Sequence, residues 1–341
     1  TNFTTPLYSV SSTANNPNLK NETTKSWEVG LEMNFFQRRL GFDAALYQSN
    51  SVDQLMPVTI TGATGYTSRW VNAGEIENKG LELSAYASPV RTEDFEWRIN
   101  ANWYKNESEV ISLYGDNKNL QMASLQGGVT INATVGQPYG TIWGTNYTFL
   151  NGERVINPTN GRFVVDGTPQ VIGDINPDWK AGISNTLSYK DLSFSFLIDI
   201  QKGGDIFSLD TWYGYATGVP ANTAGLNELG NPLRDPIADG GGLLLEGVNP
   251  DGSPNTTRTQ MENYANAIGY GYAPNAYHTY DASFVKLREM TLSYSLPESI
   301  TDRISMADIT LSAVGRNLWI IDKNIPYSDP EAGLSSGNIQ G

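Results

Sequence analysis

The only histidine, His278, stands between Tyr277 and Thr279, and the chain has no cysteine. A zinc centre draws on several Cys, His and carboxylate ligands, and a His-based triad needs a nucleophile and an orienting acid at fixed places. With one imidazole and no thiolate, neither is expected, and His278 reads as a solvated loop histidine. Carboxylates are plentiful, but no pair is spaced to flank a glycosidic bond. The glycine runs Gly136-Gln137-Pro138-Tyr139-Gly140 and Gly240-Gly241-Gly242 lack the strand-to-helix setting of a phosphate loop, and read as turns. Asn249-Pro250-Asp251-Gly252-Ser253 and Asp235-Pro236-Ile237-Ala238-Asp239 offer oxygen ligands without the full calcium-loop register, so Asx turns are expected. No metal, cofactor or catalytic set follows, and the chain reads as a non-enzyme.

Binding chemistry is better supplied. Between Asp205 and Ala282 lie Phe207, Trp212, Tyr213, Tyr215, Tyr264, Tyr270, Tyr272, Tyr277 and Tyr280, set among Asn, Asp and Gly. Trp143 and Tyr147 stand in another long connection. Flat aromatic faces beside amides and carboxylates suit a sugar ring, and the same inventory suits a protein interface or packing of the loops. Trp143, Tyr147, Trp212, Tyr213, Tyr215, Tyr264, Tyr270, Tyr272, Tyr277 and His278 are the candidate contacts for a ligand or a partner.

The elements that must hold these loops show a period of two. In Ser26–Phe36, Trp27, Val29, Leu31, Met33 and Phe35 fall on one side, and Ser26, Glu28, Gly30, Glu32 and Asn34 on the other. The pattern recurs from Leu40, over Lys79–Ala87, from Phe95 to Trp103, over Trp179–Tyr189, from Leu192 to Ile200, over Ser283–Leu296 and, more weakly, over Ala307–Ile320. In Ser283–Leu296 the parity changes between Val285/Leu287 and Met290/Leu292, so a bulge is expected near Arg288-Glu289. The joins at Gln37, Arg91–Asp94 and Lys190-Asp191 are very short, and that from Pro297 to Met306 is modest. Those at Gln54–Gly74, Leu113–Asp178 and Asp205–Ala282 are long. Alternation of short turns with long loops is the trace of an outer-membrane barrel, whose strands show lipid one face and water the other. Phe35, Phe36, Phe95, Trp97, Trp179 and Tyr189 stand at strand ends, as girdle aromatics do. Glu28, Glu32, Arg98, Asn100 and Asn102 are then expected to face the lumen.

Composition agrees. Acidic residues outnumber basic ones 36 to 22 in 341 residues, a net charge of −14, which excludes the basic footprint of a nucleic-acid binder. Apolar runs fall short of the ~18 residues of a membrane helix. The first residues lack the basic and apolar regions of a signal peptide. The expected fold is all-β: an antiparallel transmembrane barrel portion of about eight strands with long extracellular loops. Polar, irregular sequence at both ends and no alternation after Ile320 suggest that residues 1–341 are the C-terminal part of a larger barrel, without a plug domain or a closing strand.

Several segments carry a resemblance. Asn16-Pro17-Asn18-Leu19-Lys20, Glu22-Thr23-Thr24 and Trp27-Glu28-Val29-Gly30 resemble the entry to the C-terminal strands of TonB-dependent transporters. Asn72–Leu83, Asp174-Ile175-Asn176-Pro177-Asp178-Trp179, Gly203-Gly204-Asp205-Ile206, Ser283–Glu289, Leu292–Pro297, Gly315-Arg316-Asn317-Leu318-Trp319 and Asp329-Pro330-Glu331 are similar, in order, to the SusC/RagA-like subfamily. The resemblance implies a 22-stranded, plugged barrel in a bacterial outer membrane. It also implies import of oligosaccharides or peptides, a SusD-like surface lipoprotein as partner, and coupling to TonB through parts outside this chain. The competing expectation is a surface receptor, an adhesin or a small autonomous pore, followed by a soluble glycan-binding sandwich.

Overall fold

Among the described residues the alternating segments are strands. The computed structural model describes residues 11–261, 267–302, 309–331 and 338–339. Eight long strands form one sheet: β1 (Thr23–Phe35), β2 (Leu40–Val52), β3 (Glu75–Arg91), β4 (Phe95–Ser112), β5 (Pro177–Tyr189), β6 (Leu192–Gly203), β7 (Phe284–Ser295) and β8 (Thr310–Lys323). Each pairs antiparallel with its neighbours in sequence, and β1 and β8 are the edges, unpaired with each other. The register from Glu32 runs to Asp43, Ser84, Asn102, Gly182, Asp199 and Lys286, so one polar row crosses seven strands. β8 continues three residues past Ile320, and the expected start at Ala307 lies outside the described residues.

The parity change in β7 is a bulge. Leu287 pairs with Ile198 and Glu289 with Leu197, and Arg288 is skipped; the ladder to β8 skips it as well. The extra residue lets Val285 and Leu287 share a face with Met290 and Leu292.

Unlike a soluble sheet, this one leaves its apolar face uncovered, and polar residues such as Glu28, Glu32, Asn100 and Asn102 on the other face are exposed as well. On the apolar face Trp27, Val29, Leu31, Met33 and Phe35 are all exposed, as are Leu46, Leu81, Leu83 and Leu292, with no second layer among the described residues over them. The eight steps from Trp27 to Phe35 span roughly 27 Å along the strand, the order of an outer-membrane apolar band once the strand tilts. At the short-turn end Phe36 and Tyr189 are exposed, and Trp97 Nε1 donates to Asn185 Oδ1 at 3.1 Å, a polar handle for an interfacial ring. No helix among the described residues is long and apolar enough to cross a membrane, which says nothing of a strand-built crossing.

The short turns need left-handed residues. Phe36, Gln37 and Arg38 (φ 51°, 53° and 66°) make the β1–β2 turn and Lys190 (φ 49°) the β5–β6 turn, although none is glycine. On the polar face glycine is used for space instead. A Cβ on Gly80 would strike the ring of Tyr47, which lies across the strand and donates from its hydroxyl to Asn106 Oδ1 at 3.0 Å. Gly41 makes the same room for Tyr86, whose hydroxyl reaches Asn34 Oδ1 at 2.5 Å. Gly80→Val must expel the Tyr47 ring, and is expected to lower stability by about 1–3 kcal/mol in equilibrium unfolding from detergent.

Candidate functional site

Two regions hold the expected site residues: the polar face of the sheet, and the long connections gathered over one end of it.

On the polar face, Glu28 and Glu32 (β1) and Arg98, Asn100 and Asn102 (β4) all stand on one side, as the alternation requires. This face holds an open cavity of about 460 Å³ whose lining includes Glu32, Asn34, Asp43, Tyr86, Asn100 and Asn102 together with Phe42, Ala85, Ala101 and Leu197. Glu32, Asn100 and Asn102 therefore meet at one place. Arg98 instead turns to Glu96 (3.3 Å), an exposed pair of little energetic weight, and Glu28 stands opposite Tyr47. Tyr47 and Tyr86 belong to this surface too. Glycine opposite tyrosine at cross-strand positions was their signal, visible only once the register is known.

Most of the hydrophobic core lies in the connections, joined by Ile76 and Val110 at the loop ends of β3 and β4. A four-stranded sheet (Asn119–Ser124, Thr130–Thr134, Thr141–Tyr147 and Val165–Asp174) comes from the β4–β5 connection. The strand Asp205–Ser208 and helix α1 (Leu209–Thr217) come from the β6–β7 connection. Ser208 caps α1, its Oγ accepting from Thr211 N at 3.2 Å, and Gly218 (φ 71°) ends it. Asn275 binds the two connections together. Its Oδ1 accepts from Thr145 N (2.9 Å) and Thr145 Oγ1 (2.8 Å), and its Nδ2 donates to Gly127 O (2.9 Å).

The candidate aromatic residues divide between core and surface. Tyr147 and Tyr215 are buried with Ile156, Phe163 and Met261, and Tyr277 packs against that cluster. His278 is fully buried, its Nδ1 3.2 Å from Thr211 Oγ1 and its ring within 6.4 Å of those of Phe207, Tyr215 and Tyr277. It is therefore not the solvated loop histidine that its isolation suggested; three aromatic neighbours distant in sequence or hidden by loop context enclose it. Burial pushes its pKa down to about 3, pushes the Tyr147 and Tyr280 hydroxyls up to about 12, and raises the Tyr277 hydroxyl as well. These groups hold the loops together.

Trp212, Tyr213 and Tyr270 form a second cluster. Trp212 meets each tyrosine edge-on with centroids 4.8 Å apart, and both tyrosines are exposed. Tyr272 is exposed beneath the Arg162 guanidinium, 4.2 Å from its ring centre. Trp143 is half-buried, Nε1 donating to Thr141 Oγ1 at 3.0 Å. Tyr264 lies outside the described residues. The expected Asx turn at Asn249–Ser253 is present, Asp251 Oδ1 accepting from Ser253 N at 2.9 Å. Among the described residues no group of three or more His, Asp or Glu is placed to hold a metal.

A family model described as "TonB dependent receptor-like, beta-barrel" matches residues 1–318. "TonB-dependent receptor P3" of Formosa agariphila is 28% identical over 348 residues, covering 95% of this chain and 32% of that protein. "TonB-dependent receptor SusC" of Bacteroides thetaiotaomicron is 25% identical over 297 residues, covering 82% of this chain and 26% of that protein. The RagAB peptide importer in its closed-closed state superposes with a TM-score of 0.68 at 20% identity, over 95% of this chain and 35% of that one. Its open-open state gives 0.67 at 22%, over 95% and 33%. The chain spans about a third of the length of the curated relatives it matches.

Proposed function

Given that this chain belongs to the TonB-dependent receptor-like β-barrel family, we propose that it forms part of the wall and extracellular loops of an energy-coupled importer in a bacterial outer membrane. The observation that carries this reading is the uncovered apolar face of the sheet, set opposite a polar face that lines a cavity, with the apolar core gathered in the loops and the strand ends that meet them. An adhesin does not need a polar face lining a cavity, and a soluble sandwich would cover the apolar one.

The cargo is an oligosaccharide or a peptide, a SusD-like lipoprotein packs on the loops, and TonB acts through parts of the protein outside this chain. The solved neighbours are described as a peptide importer and a peptide transporter, which supports the peptide alternative; the oligosaccharide alternative rests on the sequence resemblance. Exposed Tyr213 and Tyr270, steadied edge-on by Trp212, offer flat faces of the kind that either cargo or partner contacts.

The test is uptake by cells carrying the whole protein, with labelled oligosaccharide and peptide mixtures, in the presence and absence of TonB. TonB-dependent uptake of either mixture is expected, and TonB-independent leakage would identify a pore instead. Tyr270→Ala is expected to weaken cargo binding or lipoprotein capture about tenfold, the loss typical of an aromatic anchor. If both are unchanged, the ring only packs.

A further inference from the structure

The bulge in β7 places two cations side by side on the polar face, and the chain's own carboxylates occupy them. Lys286 is almost fully buried, and its Nζ contacts Asp329 Oδ1 and Glu331 Oε2, the latter at 2.6 Å. Arg288 grips Glu331 with both terminal nitrogens, at 2.7 and 2.9 Å, and reaches Asp199 through Nε at 2.9 Å. The two acids arrive on residues 324–331, which leave the upper end of β8 and fold back over β6 and β7. Ile325 anchors this segment beside Ile206 and Ala282. Lys323 Nζ donates to Ser328 O at 2.5 Å, and Ser328 Oγ donates to Asp210 Oδ2 at 2.6 Å. Tyr327 takes φ 63°, a left-handed geometry that surrounding contacts must hold in place. Pro330 and Glu331 then form one wall of a polar cavity of about 460 Å³, whose other walls include Asn176, Lys180, Gln201 and Asp205.

The cations and the acids differ in access. The side chains of Asp329 and Glu331 are 46% and 39% exposed, against 4% for Lys286 and 25% for Arg288. The cationic pair is thus built into the wall, while its occupant sits at the surface, within reach of anything in the cavity. Among the described residues, removal of both strap acids leaves Asp199 as the remaining ion-pair partner of the two cations, a net charge of +1 over those three. A forked guanidinium beside an ammonium matches carboxylate geometry.

We propose that Lys286 and Arg288 form a carboxylate-binding site at the lumen mouth, that residues 324–331 are a strap closed upon it, and that carboxylate-bearing cargo opens the strap by taking the place of Asp329 and Glu331. This rests on the polar face being the lumen. Uronic acids and acidic peptides share the recognised chemistry.

Hydrogen exchange of residues 324–331 in the whole protein in detergent, at constant ionic strength, tests it. Trigalacturonate or triglutamate is expected to raise strap exchange at least fivefold, and maltotriose and triglutamine to leave it unchanged. A response to only one acidic probe identifies the carboxylate source the site accepts. The double variant Asp329→Asn/Glu331→Gln should exchange at least tenfold faster without any probe and gain nothing more from one. Should that variant lose its heat-modifiable gel migration, Glu331→Gln alone, which keeps Asp329 on Lys286, is measured instead. Unchanged strap exchange in the variant, or equal effects of acidic and neutral probes, overturns the proposal. Migration reports the barrel separately: its loss in the unmodified protein defeats the lumen reading, whereas a failed strap leaves it intact.

Discussion

Leu83→Arg is expected to destabilise the protein by about 2–4 kcal/mol in equilibrium unfolding from phospholipid bilayers, the range for a cation at the midplane of a barrel's lipid face. Leu83 is exposed on the apolar side of β3, and its register neighbours are Ala44 and Trp103. Through Ala44 the same row reaches Leu31, midway between Trp27 and Phe35, so the guanidinium would lie far from either interface. The control is one residue off parity in the same region. Asn102→Arg, on the polar face, is expected to change stability by less than about 0.5 kcal/mol, as exposed surface substitutions do. Equal costs at the two positions would mean that both faces meet the same solvent, and the membrane reading would be lost.

Acid is expected to loosen the loop assembly through His278. The buried ring has a pKa near 3, against an ordinary value of 6.5, because burial disfavours its charged form. A group whose folded pKa is depressed contributes its full stability above the unfolded value and loses it as pH falls towards the folded one. Between pH 6.5 and about 3 the opened loops bind a proton that the closed loops refuse, so closure weakens throughout that window. Linkage makes the loss roughly 1 kcal/mol at pH 5.5 and roughly 2–3 kcal/mol at pH 4.5 relative to neutral pH. Asp174 and Asp205 act in the opposite sense. Burial raises both carboxyls, so their protonation favours the folded loops as pH falls. The measurement is therefore a difference: hydrogen exchange of α1 and residues 275–280 from pH 7.5 to 4.5, in the unmodified protein and in His278→Gln. The variant should lose the His278 component of the slope while keeping that of the carboxyls. Identical pH profiles would show that the imidazole is not enclosed as described.

The wall was legible in the sequence because a strand's faces follow from its own alternation. Trp27 to Phe35, Phe95 to Trp103 and Leu192 to Ile200 each declare an apolar and a polar side without reference to any other residue. The parity slip between Leu287 and Met290 marked the bulge for the same reason. Glu32, Asn100 and Asn102 were placed on a common face by counting alone. What counting could not supply was register, since that depends on which residue of one strand lies opposite which of the next. Hence Tyr47 over Gly80, and the row from Glu32 to Lys286, appear only in the assembled sheet.

In the loops the position is reversed. Their aromatic residues have no period, so composition could nominate Tyr147, Tyr215, Tyr277 and His278 but could not separate them from Tyr213 and Tyr270. Burial made that division, through contacts such as Asn275 with Thr145 that join residues 130 positions apart. The strap was hidden in the same way. Lys286 and Arg288 stand in one recognisable segment and Asp329 and Glu331 in another, and only the return of the chain across β7 makes them partners. The sequence by itself determined the strands and their two faces, because alternation is local; the tertiary structure alone decided which polar groups meet, because that depends on where distant segments are brought together.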